Sequence, residues 1–229
     1  MKIGVLLSGC GVFDGAEIQE SVLAMLSIKE EGAEYICISV DQEQHHVIDH
    51  TKGEEMSEKR NMLVEAARIA RGDVRNINDI SPSDLDGLLI PGGFGSAKNF
   101  TKWAFQGPDG EILPEVKLLL VNMVNVGKPI AALCVSPVVV AKAFQGSSIK
   151  PIMTIGTNED KSEYDINGFA QGLEATGAKA EMKNIDAISY DEAHKIITAP
   201  CYMMDTDILG IRQSTKLAVK KLIEVCKTA

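Results

Sequence analysis

The sequence lacks the features that mark several large classes of protein. Its apolar runs fall well short of the roughly 20 residues that a membrane-spanning helix needs, and the run within residues 1–10 is too short for a signal-peptide core. No basic stripe is present, and a net charge of −9 opposes broad attraction to nucleic acid or anionic lipid. Neither a Walker pattern nor GxGxxG occurs. We therefore expect no nucleic acid, membrane or nucleotide partner.

Paired cysteines are also missing. The chain has an odd number of cysteines, widely spaced and without a CxxC motif, which is typical of reduced thiols in a reducing compartment. This pattern predicts a cytoplasmic protein. The cysteines are Cys10, Cys37, Cys134, Cys201 and Cys226.

Short β-like runs alternate with amphipathic helical stretches along the chain. This alternation predicts an α/β fold with a mostly parallel sheet covered by helices on both faces. No repeat, low-complexity segment or linker interrupts it, so we expect a single domain over residues 1–229. Strands are predicted at 2–8, 34–40, 86–91, 130–133 and 151–156, with a hairpin at 187–199; helices are predicted at 17–31, 57–71, 114–127, 167–176 and 207–226.

Two of the predicted helices have recognisable faces or ends. In the first, Ile18, Val22, Met25 and Leu26 fall on one face. The second is expected to begin at a Ser57 cap. The polar stretch between them, residues 41–56, is better interpreted as a loop or small hairpin than as a linker.

A cysteine follows the apolar run Ile130 to Leu133 and stands where a helix begins. A strand followed at once by a helix forces a tight, strained turn that holds its central side chain out from the sheet edge, as in a nucleophile elbow. The small residues Ala132 and Ser136 allow strand and helix to approach closely, and the helix N-terminus favours a thiolate. The pattern predicts Cys134 as a nucleophile.

Two other loops should meet this turn at the carboxyl edge of the sheet, where ligands bind in such folds. They are residues 8–17, after the first strand, and residues 91–99, which contain Gly92 and Gly93. Adjacent glycines let backbone amides face a pocket, so we expect the amides of Gly92, Gly93 and Val135 there, with Gly93 and Val135 donating to a developing oxyanion. The glycines with Lys98 and Asn99 could instead cradle a phosphate, or form only a turn.

These motifs carry a resemblance to a known family. Glu17 at the start of the first helix, Pro91-Gly92-Gly93 and Ala-x-Cys134-x-x-Pro resemble the ThiJ/PfpI superfamily of class I glutamine amidotransferase-like proteins. Further motifs along nearly the whole chain resemble its ElbB subfamily; they are residues 8–15, 91–99, 154–157 and 198–203. The resemblance implies a flavodoxin-like three-layer α/β/α sandwich, a homodimer, a reactive elbow cysteine, a weak glyoxalase activity without a cofactor, and a loose link to isoprenoid biosynthesis.

One position departs from the superfamily pattern. Many members have histidine directly after the elbow cysteine, whereas this chain has Val135, which weakens the peptidase and amidase interpretations. Glu17 is then the predicted proton partner of Cys134, the two sharing one proton as a coupled pair. We expect conversion of glyoxal or methylglyoxal to a hydroxy acid through a hemithioacetal. Glu17 could also be only an acidic first-turn residue.

The alternative function is a redox sensor or stress-related regulator, in which the same cysteine is oxidised and changes partner binding. Cys10 should lie at the same sheet edge and either lines the pocket, resolves a disulfide or simply packs; Asn99 is a second pocket candidate. Cys37 and Cys226 are interpreted as structural.

The histidines are not predicted to take part. His194 lies in a polar turn that we interpret as a solvated hairpin tip. His45, His46 and His50 cluster in the 41–56 loop, where Asp49 or Glu54 could complete a metal site. A polar solvent-facing loop is the favoured interpretation, and no metal is predicted.

Overall fold

A seven-stranded sheet forms the centre of the computed structural model, which describes residues 1–228. Its strand order is β10-β11-β7-β6-β1-β2-β5, and every neighbouring pair is parallel except β10 with β11. Two small two-stranded sheets, β3-β4 and β8-β9, lie outside it. The strands are β1 Lys2–Leu6, β2 Glu34–Ser39, β3 Ile48–Asp49, β4 Glu54–Glu55, β5 Val74–Asn76, β6 Gly87–Ile90, β7 Ile130–Leu133, β8 Ile152–Met153, β9 Lys179–Ala180, β10 Ser189–Asp191 and β11 Ile196–Ala199.

Helices flank this sheet as a flavodoxin-like three-layer sandwich, which confirms the predicted fold class. α1 packs on α7, and α4 packs on α5. Strands β6 and β7 are buried along their whole length, as expected for parallel strands covered on both faces. The helices are α1 Ile18–Glu30, α2 Met62–Ile69, α3 Trp103–Gln106, α4 Pro114–Asn125, α5 Pro137–Phe144, α6 Ile166–Ala175 and α7 Ile208–Thr228. No helix within residues 1–228 has both the length and the apolarity needed to cross a membrane.

The face of α1 that is buried in the core differs from the face that its apolar pattern predicts. Ile18, Val22 and Leu26 are each nearly half exposed. The buried face carries small and polar residues instead, because α1 packs closely against α7 and the end of β6. Its members are Glu20, Ser21, Ala24, Met25, Ser27 and Ile28. A carboxylate is therefore carried into the interior by α1.

Two predicted boundaries differ from the structure. The second helix begins at Met62, five residues after the predicted Ser57 cap, because the Asn61 side chain accepts hydrogen bonds from the amides of Leu63 and Val64. The strand predicted at 151–156 contains only Ile152–Met153 and pairs with β9, outside the main sheet. The 41–56 stretch does contain a small hairpin, formed by β3 and β4.

The carboxyl edge of the sheet gathers the loops that matter for function. β1, β6, β7 and β11 are parallel neighbours, so the segments after Leu6, Ile90, Leu133 and Ala199 emerge side by side. The segments that follow Leu6 and Ile90 are joined by a backbone hydrogen bond, in which the Phe94 N–H donates to the carbonyl of Val12 at 2.7 Å.

Candidate active site

Cys134 occupies a strained turn between β7 and α5. Its φ of 57° lies in the left-handed region, which costs a non-glycine residue roughly 1–3 kcal/mol. Its amide donates to the carbonyl of Ala199 at 2.9 Å, anchoring the turn to the end of β11. α5 begins at Pro137, three residues later. This is the geometry of a nucleophile elbow.

The glycine pair after β6 packs directly against the elbow. The Ser136 hydroxyl donates to the carbonyl of Pro91 at 2.5 Å and ties the two turns together. Gly93 has a φ of 97°, and a Cβ there would lie 2.3 Å from the carbonyl oxygen of Gly15. The amides of Gly93 and Val135 face the Cys134 sulfur and favour its thiolate. The predicted amides of Gly93 and Val135 therefore lie beside the Cys134 sulfur, whereas the predicted Gly92 amide donates to the carboxylate of Glu20.

The carboxylate that contacts the sulfur belongs to Glu20. Its side chain is fully buried and lies beside the Cys134 thiol, which lowers the pKa of the Glu20 carboxyl slightly. One carboxylate oxygen accepts the Gly92 amide at 2.7 Å, and the other accepts the Tyr202 amide at 3.2 Å. Burial, followed by the neighbouring charge of Glu17, raises the pKa of Glu20 to about 8. Glu20 therefore carries a proton at neutral pH.

The Cys134 thiol is itself protected from ionisation. Only 7% of the residue is exposed. Burial and then the charge of Glu20 raise the pKa of the Cys134 thiol, and the two facing amides oppose this effect only partly. Thiol and carboxyl are thus a coupled pair that holds two protons at neutral pH and must lose one to become reactive.

Glu17, the predicted proton partner, has a different position. It is the N-cap of α1, and its carboxylate accepts the Glu20 amide at 2.6 Å. Burial raises the pKa of the Glu17 carboxyl. Its side chain lines the approach to the site, one helical turn before the carboxylate that contacts the sulfur.

Space at the site is divided into an inner cavity and an outer cleft. The inner cavity, which Cys134 lines, has a volume of only about 10 Å³, close to the space of one water molecule. The outer cleft measures about 420 Å³. Val12, Tyr164 and Tyr202 line both, so these side chains separate the nucleophile from the larger space.

Comparison with known proteins identifies the family. No protein-family model matches the chain. A rat protein, "ES1 protein homolog, mitochondrial", is 37% identical over 226 residues, covering 98% of this chain and 84% of the relative. A human mitochondrial "glutamine amidotransferase-like class 1 domain-containing protein 3" is 36% identical, covering 98% and 83%. A crystal structure from Ehrlichia chaffeensis, described as an isoprenoid biosynthesis protein with amidotransferase-like domain, is 32% identical with a TM-score of 0.87, covering 98% and 99%.

The chain belongs to the family of these ES1 and amidotransferase-like proteins, as the ElbB-like resemblance predicted. A more distant solved structure, glyoxalase III from Candida albicans, shares the fold at 16% identity and a TM-score of 0.61, covering 98% of this chain and 97% of that one.

The relatives overturn one prediction for this ElbB-like protein. The rat and human proteins are both named mitochondrial, which contradicts the predicted cytoplasmic location. The prediction depended on unpaired cysteines, which indicate only a reducing environment. Cysteine usage cannot distinguish one reducing compartment from another.

The two pocket candidates of this ElbB-like protein lie outside the Cys134 site. Cys10 is half-buried, and burial, followed by the charge of Glu65, raises the pKa of its thiol. It lines neither the inner cavity nor the outer cleft. Asn99 is buried, and its amide nitrogen donates to the carbonyls of Ser8 at 2.9 Å and Asp14 at 2.8 Å. It braces the 8–17 loop.

The histidines of the ElbB-like chain also lie away from the thiol. His194 precedes β11, at the opposite edge of the sheet, and its ring nitrogen lies 2.8 Å from the carboxylate of Asp191. His45 and His46 stack near Phe105, while His50 accepts the Phe13 amide at 3.3 Å. Within residues 1–228, no three His, Cys, Asp or Glu side chains are grouped to hold a metal ion.

Sequence reasoning missed Glu20, Tyr164 and Tyr202. A signal for Glu20 exists, because it shares a helical face with the small residues Ala24 and Ser27, at spacings of four and seven. Small residues on one face of a helix predict close packing of that face, so a carboxylate among them is expected to be buried in the protein interior. Tyr164 carries no such signal, because it stands in a loop whose course the sequence pattern does not give. Tyr202 lies in a 3-10 helix within the 198–203 motif, which pointed to the family but not to a role in the site.

Proposed function

We propose that this protein is a cysteine-dependent glyoxalase-like enzyme that converts small α-oxoaldehydes such as glyoxal and methylglyoxal to hydroxy acids without a cofactor. The observation that carries the proposal is the contact between Cys134 and Glu20, beneath the amides of Gly93 and Val135. A thiol, an acid with a pKa near the working pH and two amide donors are what this chemistry requires.

The first step forms a carbon–sulfur bond. Once the pair has lost one proton, the Cys134 sulfur attacks the aldehyde carbon, and the carbonyl electron pair moves to oxygen. That oxygen develops negative charge next to the amides of Gly93 and Val135 and takes the remaining proton from Glu20. The product is a hemithioacetal, and Glu20 is left ionised.

The second step moves hydrogen within the substrate. Ionised Glu20 removes the proton from the carbon bonded to sulfur and returns it to the adjacent carbon. The hydroxyl proton of the hemithioacetal moves to the oxygen of that adjacent carbon, so that its carbonyl becomes a hydroxyl. The first carbon is oxidised to a thioester as the second is reduced, so no external oxidant is needed. Water then hydrolyses the thioester, which releases the hydroxy acid and restores the thiol. Acid–base assistance of this kind contributes about 100- to 10,000-fold.

The alternative, a redox sensor, has less support from this site. Such sensors use an accessible cysteine with a lowered pKa. Only 7% of Cys134 is exposed, and burial raises the pKa of its thiol. A protected thiol with a proton-carrying neighbour fits catalysis better than oxidation by solvent peroxide.

Two further expectations accompany the proposal. We propose a single domain over the whole chain, supported by one continuous apolar core. We also propose a homodimer, which the exposed apolar stripe of Ile18, Val22 and Leu26 on α1 supports, since such stripes on helices are typical of protein–protein contacts.

The test is to incubate the purified protein with glyoxal, without glutathione or added metal, and to follow glycolate by chromatography. Wild type should form glycolate, and Cys134→Ser should not. Cys10→Ser is the matched control, because it removes a thiol outside the site and should leave the rate unchanged. Equal rates in wild type and Cys134→Ser would contradict the proposal.

A further inference from the structure

The outer cleft is much larger than the proposed small dicarbonyls require. Its volume of about 420 Å³ lies in the usual range of small-molecule sites, whereas the space next to the sulfur is about 10 Å³. Because Val12, Tyr164 and Tyr202 line both spaces, the cleft adjoins the space beside Cys134. The cleft therefore has room for a substrate tail.

The charge of the cleft has one sign. Glu17, Glu163 and Asp205 line it, and none of its lining residues is a lysine, arginine or histidine. Asp205 pairs with the exposed Lys161. Within residues 1–228, neither Glu17 nor Glu163 has a basic side chain within ion-pair distance. The cleft thus presents uncompensated negative charge.

Glu17 is the decisive member of this set. Only 8% of the residue is exposed, and the groups that stabilise its charge are backbone amides at the start of α1, among them that of Glu20 at 2.6 Å, and not a basic side chain. A buried carboxylate without a cation is costly, and burial accordingly raises the pKa of the Glu17 carboxyl. A bound cation would offset this cost.

Aromatic rings complete the surface. Tyr164 and Tyr202 line the cleft between the carboxylates and the thiol, and the Tyr202 hydroxyl is held by the Gln19 side chain. Ring faces attract organic cations through their quadrupole, most strongly where water is partly excluded. Carboxylates and tyrosines together are a surface suited to a protonated amine.

We infer that the outer cleft binds the protonated amine of an α-oxoaldehyde whose carbonyl end reaches Cys134. The inference rests on the proposed function and gives its substrate class: cationic aldehydes are selected, and aldehydes with a carboxylate tail are disfavoured. Lys161 at the rim leaves the cleft acidic, because the carboxylates of Glu17, Glu163 and Asp205 exceed it by two charges when all are ionised.

Charged thiol reagents of matched size test this selection without any turnover. The probes are 2-aminoethyl methanethiosulfonate, a cation, and 2-sulfonatoethyl methanethiosulfonate, an anion. In each case the Cys134 thiolate displaces methanesulfinate and forms a mixed disulfide. Modification of Cys134 is followed by mass spectrometry of its peptide, and each rate is divided by that of 2-mercaptoethanol with the same reagent.

The normalised rate should favour the cation by about tenfold or more at low salt, and less at high salt. Glu163→Gln should reduce this preference several-fold, whereas Glu159→Gln, which removes an exposed acid in the same loop that does not line the cleft, should not. A normalised ratio near one, or no modification by either reagent, would overturn the inference. A clear preference without conversion of any dicarbonyl would instead overturn the proposed function and leave the cation site standing.

Discussion

Glu20 and Cys134 meet over the backbone of Gly92. A Cβ placed on Gly92 would lie 2.5 Å from a carboxylate oxygen of Glu20 and 2.8 Å from the Cys134 sulfur. The same glycine donates its amide to that oxygen at 2.7 Å. Only a residue without a side chain allows the acid and the thiol to share this position.

Replacing Gly92 with alanine should therefore disrupt the pair. The added methyl would also lie 2.4 Å from the Cys134 Cβ and cannot be accommodated without moving the side chains of Glu20 and Cys134. We expect a loss of about 1–3 kcal/mol in the free energy of unfolding, as for other overpacked sites. Glycolate formation should fall roughly 100-fold, as when a preorganised donor is displaced.

A matched control for this substitution is Gly53→Ala. Gly53 has a φ of 72° and open space around it, so alanine there introduces backbone strain alone. This variant should lose roughly 1–2 kcal/mol and keep its activity. If Gly92→Ala were as active as Gly53→Ala, the close approach of Glu20 and Cys134 would not matter for catalysis. Urea unfolding and the glycolate assay provide both measurements.

The raised pKa of Glu20 predicts a pH-dependent stability. Between pH 4.5 and about 8 the folded protein keeps the Glu20 proton while the unfolded chain has lost it. The contribution to stability is thus fully present below 4.5 and is lost as the pH rises through 8. Across this window the free energy of unfolding should fall by up to about 1.4 kcal/mol per pH unit on account of this group.

Glu20→Gln should remove that slope, because glutamine does not titrate. Urea denaturation at several pH values measures it, and Glu192→Gln, at an exposed position, serves as the control that keeps the wild-type slope. An unchanged slope in Glu20→Gln would show that Glu20 ionises in the folded protein as it does in the unfolded chain.

Asn99 should prove to be a stabilising residue and not a ligand-binding one. Its side chain also accepts the amide of the exposed His45 at 2.8 Å, so alanine would leave two buried carbonyls and one partly exposed amide without their partner. We expect a loss of roughly 2–4 kcal/mol in the free energy of unfolding. Asn158→Ala, at an exposed position, should cost little. A fully stable Asn99→Ala with a raised KM for glyoxal would instead favour a role in the pocket.

The sequence patterns predicted the site well where the geometry is local. A strand followed directly by a helix fixes the turn at Cys134, and glycines after β6 fix the amides that face it. Both follow from backbone connectivity within a few residues. Parallel strand order then brings the two turns together, because ligand-facing loops share one edge of the sheet.

Which carboxylate contacts the Cys134 sulfur could not be predicted from the local sequence. The apolar stripe of Ile18, Val22 and Leu26 suggested a core-facing side for α1, but that side is exposed. The side packed against α7 and Gly92 carries Glu20 instead. Which face of a helix is buried depends on how closely its neighbours approach, and here small residues allow a contact that the apolar stripe would not.

Rates of glycolate formation from glyoxal in wild type, Glu20→Gln and Glu17→Gln test the central claim most directly. Circular dichroism would first establish that all three are folded. The account predicts that Glu20→Gln loses at least about 100-fold, because the proton that moves between the substrate carbons has no carrier, while Glu17→Gln stays within several-fold of wild type. Full activity in Glu20→Gln, or loss only in Glu17→Gln, would contradict it.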